Sequence, residues 1–334
     1  MTPLPQALWG AALASFFALF AAASDLPRGG DTPGRSTQFS RAAAAVVAIV
    51  PSDDVLPLCH ATAIGAHGLV VTKASAIEDH GTLLAQLPVT GETAAVTRRW
   101  IDRENDIAVL QTNFQNLPFI EWIKSDAEMP LGTLVLAVDP DQDLPRLGVI
   151  AAASRPIEKG GAALGVWHDT RYRQARILHV VPNSAAERAG LLPGDVILSV
   201  GEDEVGSFRQ LRDRIFALDP DDTISLLIER SGFRQTIEVR LGYQSDIPDW
   251  EDRNQLLSGR TSRRRSGFSE ILQHDIPLDP ESMGTPLLDL EGNVIGINIA
   301  RVDRASTFAL PAALVRERIA GLLGGAGVDS PSAE

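Results

Sequence analysis

The chain has 334 residues, which is enough for two or three domains rather than a single core. Its formal net charge of −13 at pH 7 repels phosphate backbones and argues against nucleic acid as a partner. Hydrophobic residues make up 44% and charged residues 22%, as in folded globular proteins, whereas an aromatic content of 5% with 28 Gly and 21 Pro favours a turn-rich β protein.

The N-terminal residues are typical of an export signal. An apolar stretch over residues 7–23 ends in small residues before Asp25, which predicts a signal peptide over residues 1–24. No Lys or Arg precedes this stretch, so an uncleaved membrane anchor is the alternative. Both interpretations predict export to the bacterial periplasm or cell surface, followed by a flexible leader over residues 25–40, which are rich in Pro, Gly and Ser.

Short apolar runs separated by turn residues come next. β-branched residues are frequent in them, and Gly, Pro and Asp interrupt them, which predicts an antiparallel barrel or sandwich. The runs are 46–50, 61–64, 69–72, 94–97, 107–111 and 134–138. The single cysteine, Cys59, forms no intramolecular disulfide, and a lone cysteine is more often a buried side chain than a nucleophile.

The pattern changes near residue 160. Residues 162–242 alternate as two strands, a turn, a strand, a helix and two strands. The predicted helix covers residues 207–218, with Ser207 as its N-cap. Phe208, Leu211 and Ile215 recur in it at spacings of three and four and form one apolar face.

The remainder of the chain begins with a polar, irregular stretch over residues 243–267, which predicts a linker. Four arginines at 260 and 263–265 are typical of a solvated loop, with a docking patch as the alternative. Strand-like runs return after residue 270, a final helix is predicted from about 312 to 323, and residues 324–334 are predicted to form a disordered tail.

The stretch from residue 182 to residue 197 resembles the core signature of bacterial PDZ domains. Gly190 and Gly194 stand in it where a short helix ends and a tight turn begins. The resemblance implies that an extended peptide or protein C-terminus is captured by strand addition, with its carboxylate in the loop Leu164-Gly165-Val166. The implied peptide-binding residues are Leu164, Gly165, Val166, Phe208, Leu211 and Ile215. The alternative is a PDZ fold used only for docking, with a blocked groove.

Segments on both sides of the PDZ stretch resemble the two halves of HtrA (Deg-type) serine proteases. The matching segments are 68–77, 102–110, 273–275, 283–298 and 308–311. The resemblance implies a mainly β fold: a trypsin-like double β-barrel with an inserted PDZ domain, itself a β-sandwich with helices. It implies a first barrel over residues 41–145, a PDZ domain over 162–242, and a second barrel over 146–161 and 243–323.

Two departures from the family's motifs affect the implied catalytic triad. Ser75 stands where the family has its histidine, and Met283 stands where it has its serine, so Asp106 is the retained member. A thioether has no proton to lose, and a serine hydroxyl is no base near neutral pH. A relocated dyad of Ser282 and His274 is the alternative site.

These observations predict an exported, catalytically inactive HtrA relative, a pseudoprotease, that binds peptides or protein C-termini. Two alternatives stay open: an active serine-type endopeptidase with a non-standard site, and a structural or regulatory subunit of active HtrA-type proteases. A homo-oligomer is also possible. No cofactor and no metal site are predicted, because His and Cys do not cluster at metal-ligand spacing and no phosphate-binding glycine loop is present.

Overall fold

The computed structural model describes residues 35–123, 129–138, 145–182, 184–244, 247 and 257–324. The predicted signal peptide, residues 25–34 of the predicted leader, and residues 325–334 lie outside this range. No helix among the described residues is long and apolar enough to span a bilayer.

The helices of the described residues are α1 Arg35–Ala44, α2 Ala185–Arg188, α3 Phe208–Phe216 and α4 Ala312–Gly324. The strands up to the inserted segment are β1 Val46–Pro51, β2 Cys59–Gly65, β3 Leu69–Lys73, β4 Leu83–Gln86, β5 Thr93–Asp102, β6 Ile107–Thr112, β7 Leu134–Ala137 and β8 Arg146–Ile157. Those of the inserted segment are β9 Ala162–Ala163, β10 Val166–His168, β11 Ala175–Val180, β12 Val196–Val200, β13 Asp203–Glu204, β14 Thr223–Arg230, β15 Phe233–Arg240 and β16 Gly242–Tyr243. The chain continues with β17 Phe268–His274, β18 Pro286–Leu288, β19 Val294–Arg301 and β20 Thr307–Pro311.

Strands β1 to β6 close into the first barrel. Their order is β1-β2-β3-β6-β5-β4, and β1 pairs with β4 to complete the ring. Small and β-branched side chains such as Val47, Val70 and Val109 are fully buried inside it. Such residues suit a strand whose inner face is covered, which explains why the short apolar runs form this barrel.

The second barrel is built from both sides of the inserted segment. Its order is β17-β20-β19-β18-β7-β8, closed by the pairing of β17 with β8. The buried core of the first barrel continues into it through Phe268, Leu288 and Val294. The mainly β, double-barrel prediction is therefore confirmed.

The segment between β8 and β17 forms a separate domain. Strands β10-β11-β12-β14-β15 make one sheet, with β13 beside β12 and β10 at the sheet edge. Leu211 and Ile215 of α3 are buried against this sheet, and Ser207 caps the helix by accepting a hydrogen bond from the Gln210 N–H at 3.3 Å. Strands β9 and β16 pair where the chain enters and leaves the domain, so the domain is held at both ends.

Two predicted boundaries are wrong. Strand β7 was predicted within the first barrel but pairs with β8 and β18 of the second, because a short connection to β8 favours an antiparallel hairpin. The predicted flexible leader over 25–40 overlaps helix α1, which begins at Arg35. Ala42 of that helix is buried at the first-barrel core, with Phe39 packed beside it, and this packing orders the segment.

His274 lies in the interior of the second barrel, at the end of β17, and is fully buried. Its Nδ1 accepts a hydrogen bond from the Ile276 N–H at 3.3 Å, so Nε2 carries the proton and donates to Asn298 Oδ1 at 2.9 Å. Burial lowers the pKa of His274 to about 4, because removal from water disfavours the imidazolium ion.

The buried His274 predicts a specific loss of stability in acid. The unfolded imidazole has a pKa of 6.5 and the folded one about 4, so the unfolded chain takes up the proton first as the pH falls. The contribution of the neutral, buried His274 to the free energy of unfolding is complete above pH 6.5, and it falls by about 3 kcal/mol between pH 6.5 and pH 4. We expect His274→Gln to reduce the difference in unfolding free energy between pH 7 and pH 4 by about this amount, as measured by urea unfolding.

The control is His67→Gln, because His67 is exposed. The unfolding free energy of His67→Gln should change between pH 7 and pH 4 by the same amount as that of the parent chain. The same difference in His274→Gln and in the parent would contradict the assignment of a neutral, buried His274.

Candidate functional site

Asp106 is the residue predicted to remain from the triad, and its carboxylate is hydrogen-bonded to neighbouring residues. It is 1% exposed and adopts a left-handed φ of 60° in the turn before β6. Its Oδ1 accepts the Ser75 N–H at 2.6 Å, and its Oδ2 accepts the Ser75 hydroxyl at 2.9 Å. The structure thus brings together Asp106 and Ser75, two of the residues predicted at triad positions.

A third residue, Lys73, completes this group, which we call the Asp106 cluster (Asp106, Ser75 and Lys73). The Lys73 ammonium lies 2.6 Å from Asp106 Oδ2, and both side chains are almost completely buried. It also donates to the Ile299 carbonyl at 2.9 Å and the Arg264 carbonyl at 3.2 Å. The Lys73 ammonium thus has three acceptors, one of them the Asp106 carboxylate, and these compensate for its burial.

Met283 is not part of this cluster. It is fully buried in the second-barrel core, where it packs with residues such as Ile150 and Leu272. Its own N–H donates to the Pro280 carbonyl at 3.3 Å, and the neighbouring Ser282 N–H donates to the Asp279 carbonyl at 2.9 Å. These two amides are therefore hydrogen-bonded inside the turn. An oxyanion hole requires amides that point at a bound substrate instead.

The loop that carries Met283 is fastened to the first barrel. His60 Nδ1 donates to the Glu281 carbonyl at 2.7 Å, and the His60 N–H donates to the Met283 carbonyl at 3.0 Å. Gly284 has a φ of 95°, and a Cβ there would lie 1.9 Å from the His60 carbonyl oxygen. Only glycine allows this approach, so the loop geometry is fixed by packing.

The structure argues against both alternative nucleophiles, Ser282 paired with His274 and the Cys59 thiol. Ser282 is buried, and both ring nitrogens of His274 are used by Asn298 and Ile276, so the two do not form a dyad. Burial raises the pKa of the Cys59 thiol to about 12, and its Sγ lies 3.2 Å from Thr72 Oγ1. A thiol with that pKa is inert at neutral pH.

Charged side chains from three parts of the chain surround the small cavity beside the Asp106 cluster. Arg240 of the inserted domain contacts Glu78 of the first barrel at 2.7 Å and Asp221 of its own domain at 2.9 Å. Arg263 contacts Asp79 at 2.9 Å. The inserted domain therefore sits against the face of the first barrel that carries Ser75.

The arginine segment, residues 257–267, is a structural clamp. Arg264 is 3% exposed, and its guanidinium donates to the carbonyls of Arg103, Glu104 and Gly267 at 2.5, 2.8 and 2.5 Å. It also lies over the ring of Tyr243, 5.1 Å from the centroid. The interpretation as a solvated loop is therefore wrong for Arg264, because backbone carbonyls and an aromatic ring satisfy this buried cation. Arg260 and Arg263 are exposed.

The six predicted peptide-binding residues line one cavity between β10 and α3, with a volume of about 190 Å³. We call this cavity the peptide groove; its predicted members are Leu164, Gly165, Val166, Phe208, Leu211 and Ile215. Arg212 and Phe216 also line it. Phe216 is absent from the prediction, and its place next to Ile215 and four residues after Arg212 on the helix is the signal that could have identified it.

The loop at the start of the groove presents its amides outward. The Leu164 carbonyl accepts the Ala186 N–H at 2.8 Å, and the Gly165 carbonyl accepts the Val181 N–H at 2.9 Å, so both carbonyls face the domain interior. In a trans peptide the following N–H points the opposite way. The N–H groups of Gly165 and Val166 therefore point away from the interior and form a site suited to a carboxylate.

Comparison with known proteins agrees with this architecture in part of the chain. A PDZ domain model matches residues 162–241. The probable periplasmic serine endoprotease DegP-like of Halomonas elongata is 34% identical over 97 residues, covering 29% of this chain and 19% of that protein. The periplasmic pH-dependent serine endoprotease DegQ of Escherichia coli is 29% identical over 136 residues, covering 39% of this chain and 30% of that protein.

Solved structures give a weaker likeness. The serine endoprotease from Yersinia pestis has 17% sequence identity and a TM-score of 0.31, covering 63% of this chain and 97% of that one. The assignment of the fold is based instead on the strand pairings described above. A PDZ domain is thus assigned to residues 162–241, and parts of the chain are similar to the periplasmic serine endoproteases DegP-like and DegQ.

Proposed function

We propose that this protein is an exported, proteolytically inactive HtrA-type protein whose PDZ domain binds peptides or protein C-termini. The observation that carries the proposal is the peptide groove: six residues from a loop, a strand and a helix converge on one apolar cavity with outward-facing amides at its end. The Asp106 cluster supports the second part, because its carboxylate serves as a structural anion.

Binding by strand addition follows from the position of β10. It is the edge strand of its sheet, so its outer N–H and C=O groups can pair with an added strand. A C-terminal carboxylate at the Gly165 and Val166 amides would set the register of that strand. The apolar walls, among them Leu211 and Ile215, then receive the terminal side chain.

Catalytic inactivity follows from what surrounds each triad position. In the part of the chain that the structure describes, Asp106 is hydrogen-bonded to Ser75 and Lys73 instead of an imidazole, Met283 has no ionisable group, and the amide of Met283 is used in its own turn. Removal of nucleophile and base together costs roughly a millionfold in rate in a comparable serine protease. The residues that remain at this site offer no substitute for either.

Export is proposed from the N-terminal apolar stretch and from relatives whose names place them in the periplasm. The expected result is a mature chain that begins near residue 25 when the protein is expressed in a Gram-negative host. Mass spectrometry of the periplasmic fraction gives the mass of the chain and hence its first residue. A full-length chain confined to the cytoplasm would contradict the proposal.

Peptide binding is tested by truncating one wall of the groove. Phe216 lines the groove yet is 61% exposed, so Phe216→Ala should weaken binding of C-terminal peptides about fivefold without unfolding the domain. Amidation of the peptide terminus should weaken binding at least tenfold, because the charged hydrogen bonds to Gly165 and Val166 are lost. Fluorescence polarisation with a free-carboxylate peptide library measures both.

The matched control is Phe233→Ala, since Phe233 is 79% exposed on the same domain and lies outside the groove lining. The affinity of Phe233→Ala for the C-terminal peptides should equal that of the parent chain. Equal affinity for free and amidated peptides, or absence of binding throughout the library, would refute the proposed peptide site.

Catalytic inactivity is tested by proteolysis assays on the purified full chain. We expect casein and peptide substrates to be cleaved at the background rate, equally in the parent chain and in Ser282→Ala, because both ring nitrogens of His274 are already hydrogen-bonded and cannot activate Ser282. An active HtrA protease assayed in parallel verifies the substrates. Hydrolysis by the parent chain that Ser282→Ala abolishes would show a working site and overturn the proposal.

A further inference from the structure

Part of the peptide-groove lining comes from residues outside the matched PDZ domain. The domain model covers residues 162–241, yet Gln244 and Ile247 also line the cavity. We call these two the exit residues, because they follow β16 where the chain leaves the domain toward the second barrel. The groove is therefore completed by residues that the domain signature does not contain.

Hydrogen bonds hold the exit residues beside the point where the chain enters the domain. Strand β16 pairs with β9, and the Gln244 N–H donates to the Gly161 carbonyl at 2.9 Å. The Ile247 N–H in turn donates to the Gln244 carbonyl at 3.2 Å. The backbone of Ile247 is thereby attached to the paired strands that carry the domain.

The side chain of Ile247 packs on the loop that is proposed to bind a carboxylate. A Cβ built on Gly165 would lie 3.1 Å from Ile247 Cδ1 and 2.2 Å from the Ser184 Cβ, so both neighbours approach Gly165 closely. Gly165 also has a left-handed φ of 81°. The absence of a side chain at this glycine is what leaves room for Ile247, which is half-buried there.

The position of Ile247 relative to a bound peptide follows from the proposed function, on which this inference rests. A carboxylate at the Gly165 and Val166 amides places the last residue of the peptide next to Gly165. Because Ile247 contacts Gly165 and lines the same cavity, its side chain lies beside that last residue. Earlier residues of the peptide extend along β10, away from Gly165.

The cavity has room for one apolar side chain. Its volume of about 190 Å³ compares with about 150 Å³ for a cavity that accommodates benzene. Leu211, Ile215 and Phe216 of α3 bound it on one side, and Ile247 bounds it on the side of the exit residues. A shorter residue at position 247 enlarges this space, and a longer one fills part of it.

We propose that Ile247 is a specificity-determining residue of the peptide groove, supplied by the segment that leaves the PDZ domain. It sets the largest apolar last residue that the groove accepts. Ile247 acts through contact with that side chain and takes no part in holding the carboxylate.

The experiment measures affinities of the full chain for free-carboxylate pentapeptides that differ only in the last residue: Ala, Val, Leu or Phe. We expect Ile247→Ala to raise the affinity ratio of the Phe peptide to the Val peptide about fivefold, because Phe fills the enlarged space and Val does not. Ile247→Phe should lower the same ratio about fivefold, because the added ring takes up space that the larger ligand needs. Fluorescence polarisation measures both.

Leu178→Ala is the matched control. Leu178 is an aliphatic residue of the same domain, is 51% exposed on β11 and lies outside the groove lining. The affinity ratio of the Phe peptide to the Val peptide should be the same in Leu178→Ala as in the parent chain.

The outcomes separate this proposal from the one on which it rests. An unchanged ratio in both Ile247 variants, or a shift in the same direction in both, overturns the assignment of Ile247 and leaves peptide binding intact. Equal weakening of all four peptides also overturns it, because a purely structural role of Ile247 has that effect. Failure of every free-carboxylate peptide to bind the parent chain and the variants overturns both proposals.

Discussion

The buried ion pair between Asp106 and Lys73 is the interaction on which much of this structure depends. A carboxylate 1% exposed is costly to bury unless a cation and hydrogen bonds compensate for the lost water. In a triad, part of this compensation comes from an imidazole. Here Ser75 supplies two hydrogen bonds, and Lys73 supplies the charge. The retained aspartate is thereby explained without catalysis.

The same lysine joins three regions of the chain. Lys73 ends a first-barrel strand, and its ammonium donates to the Ile299 carbonyl of the second barrel and the Arg264 carbonyl of the arginine segment. Arg264 in turn donates to the carbonyls of Arg103 and Glu104, next to the turn that carries Asp106. Two buried cations therefore connect the barrels to each other beside Asp106 and Ser75.

The inserted PDZ domain also contacts the barrels. The paired strands β9 and β16 hold it at both ends, and Arg240 extends from its last long strand to Glu78 of the first barrel. The peptide groove lies elsewhere on the domain, between β10 and α3, and stays open. The architecture thus combines a rigid base with an accessible binding edge, which suits capture of a peptide better than its cleavage.

The sequence was sufficient to predict what depends on local pattern. Apolar runs located the strands, and the spacing of Phe208, Leu211 and Ile215 identified the groove wall of α3. Ser75 and Met283 could be recognised because they replace residues of a known motif.

Features that depend on distant partners could not be predicted. Lys73 looks like the polar end of a strand, and its role appears only when Asp106, 33 positions later, folds beside it. Arg264 looks solvated until backbone carbonyls and the Tyr243 ring surround it. The assignment of β7 to the second barrel likewise depends on pairing with β18, about 150 residues away.

A single NMR titration tests whether the chain binds a peptide in the peptide groove without cleaving it. The ¹⁵N-labelled full chain is titrated with a free-carboxylate peptide, and amide shifts and peptide integrity are followed in the same sample. We expect the shifts to concentrate on the Gly165 and Val166 amides and along α3, and the peptide to stay intact. Shifts concentrated at Ser75 and in the Met283 loop, together with the appearance of cleaved peptide, would contradict it.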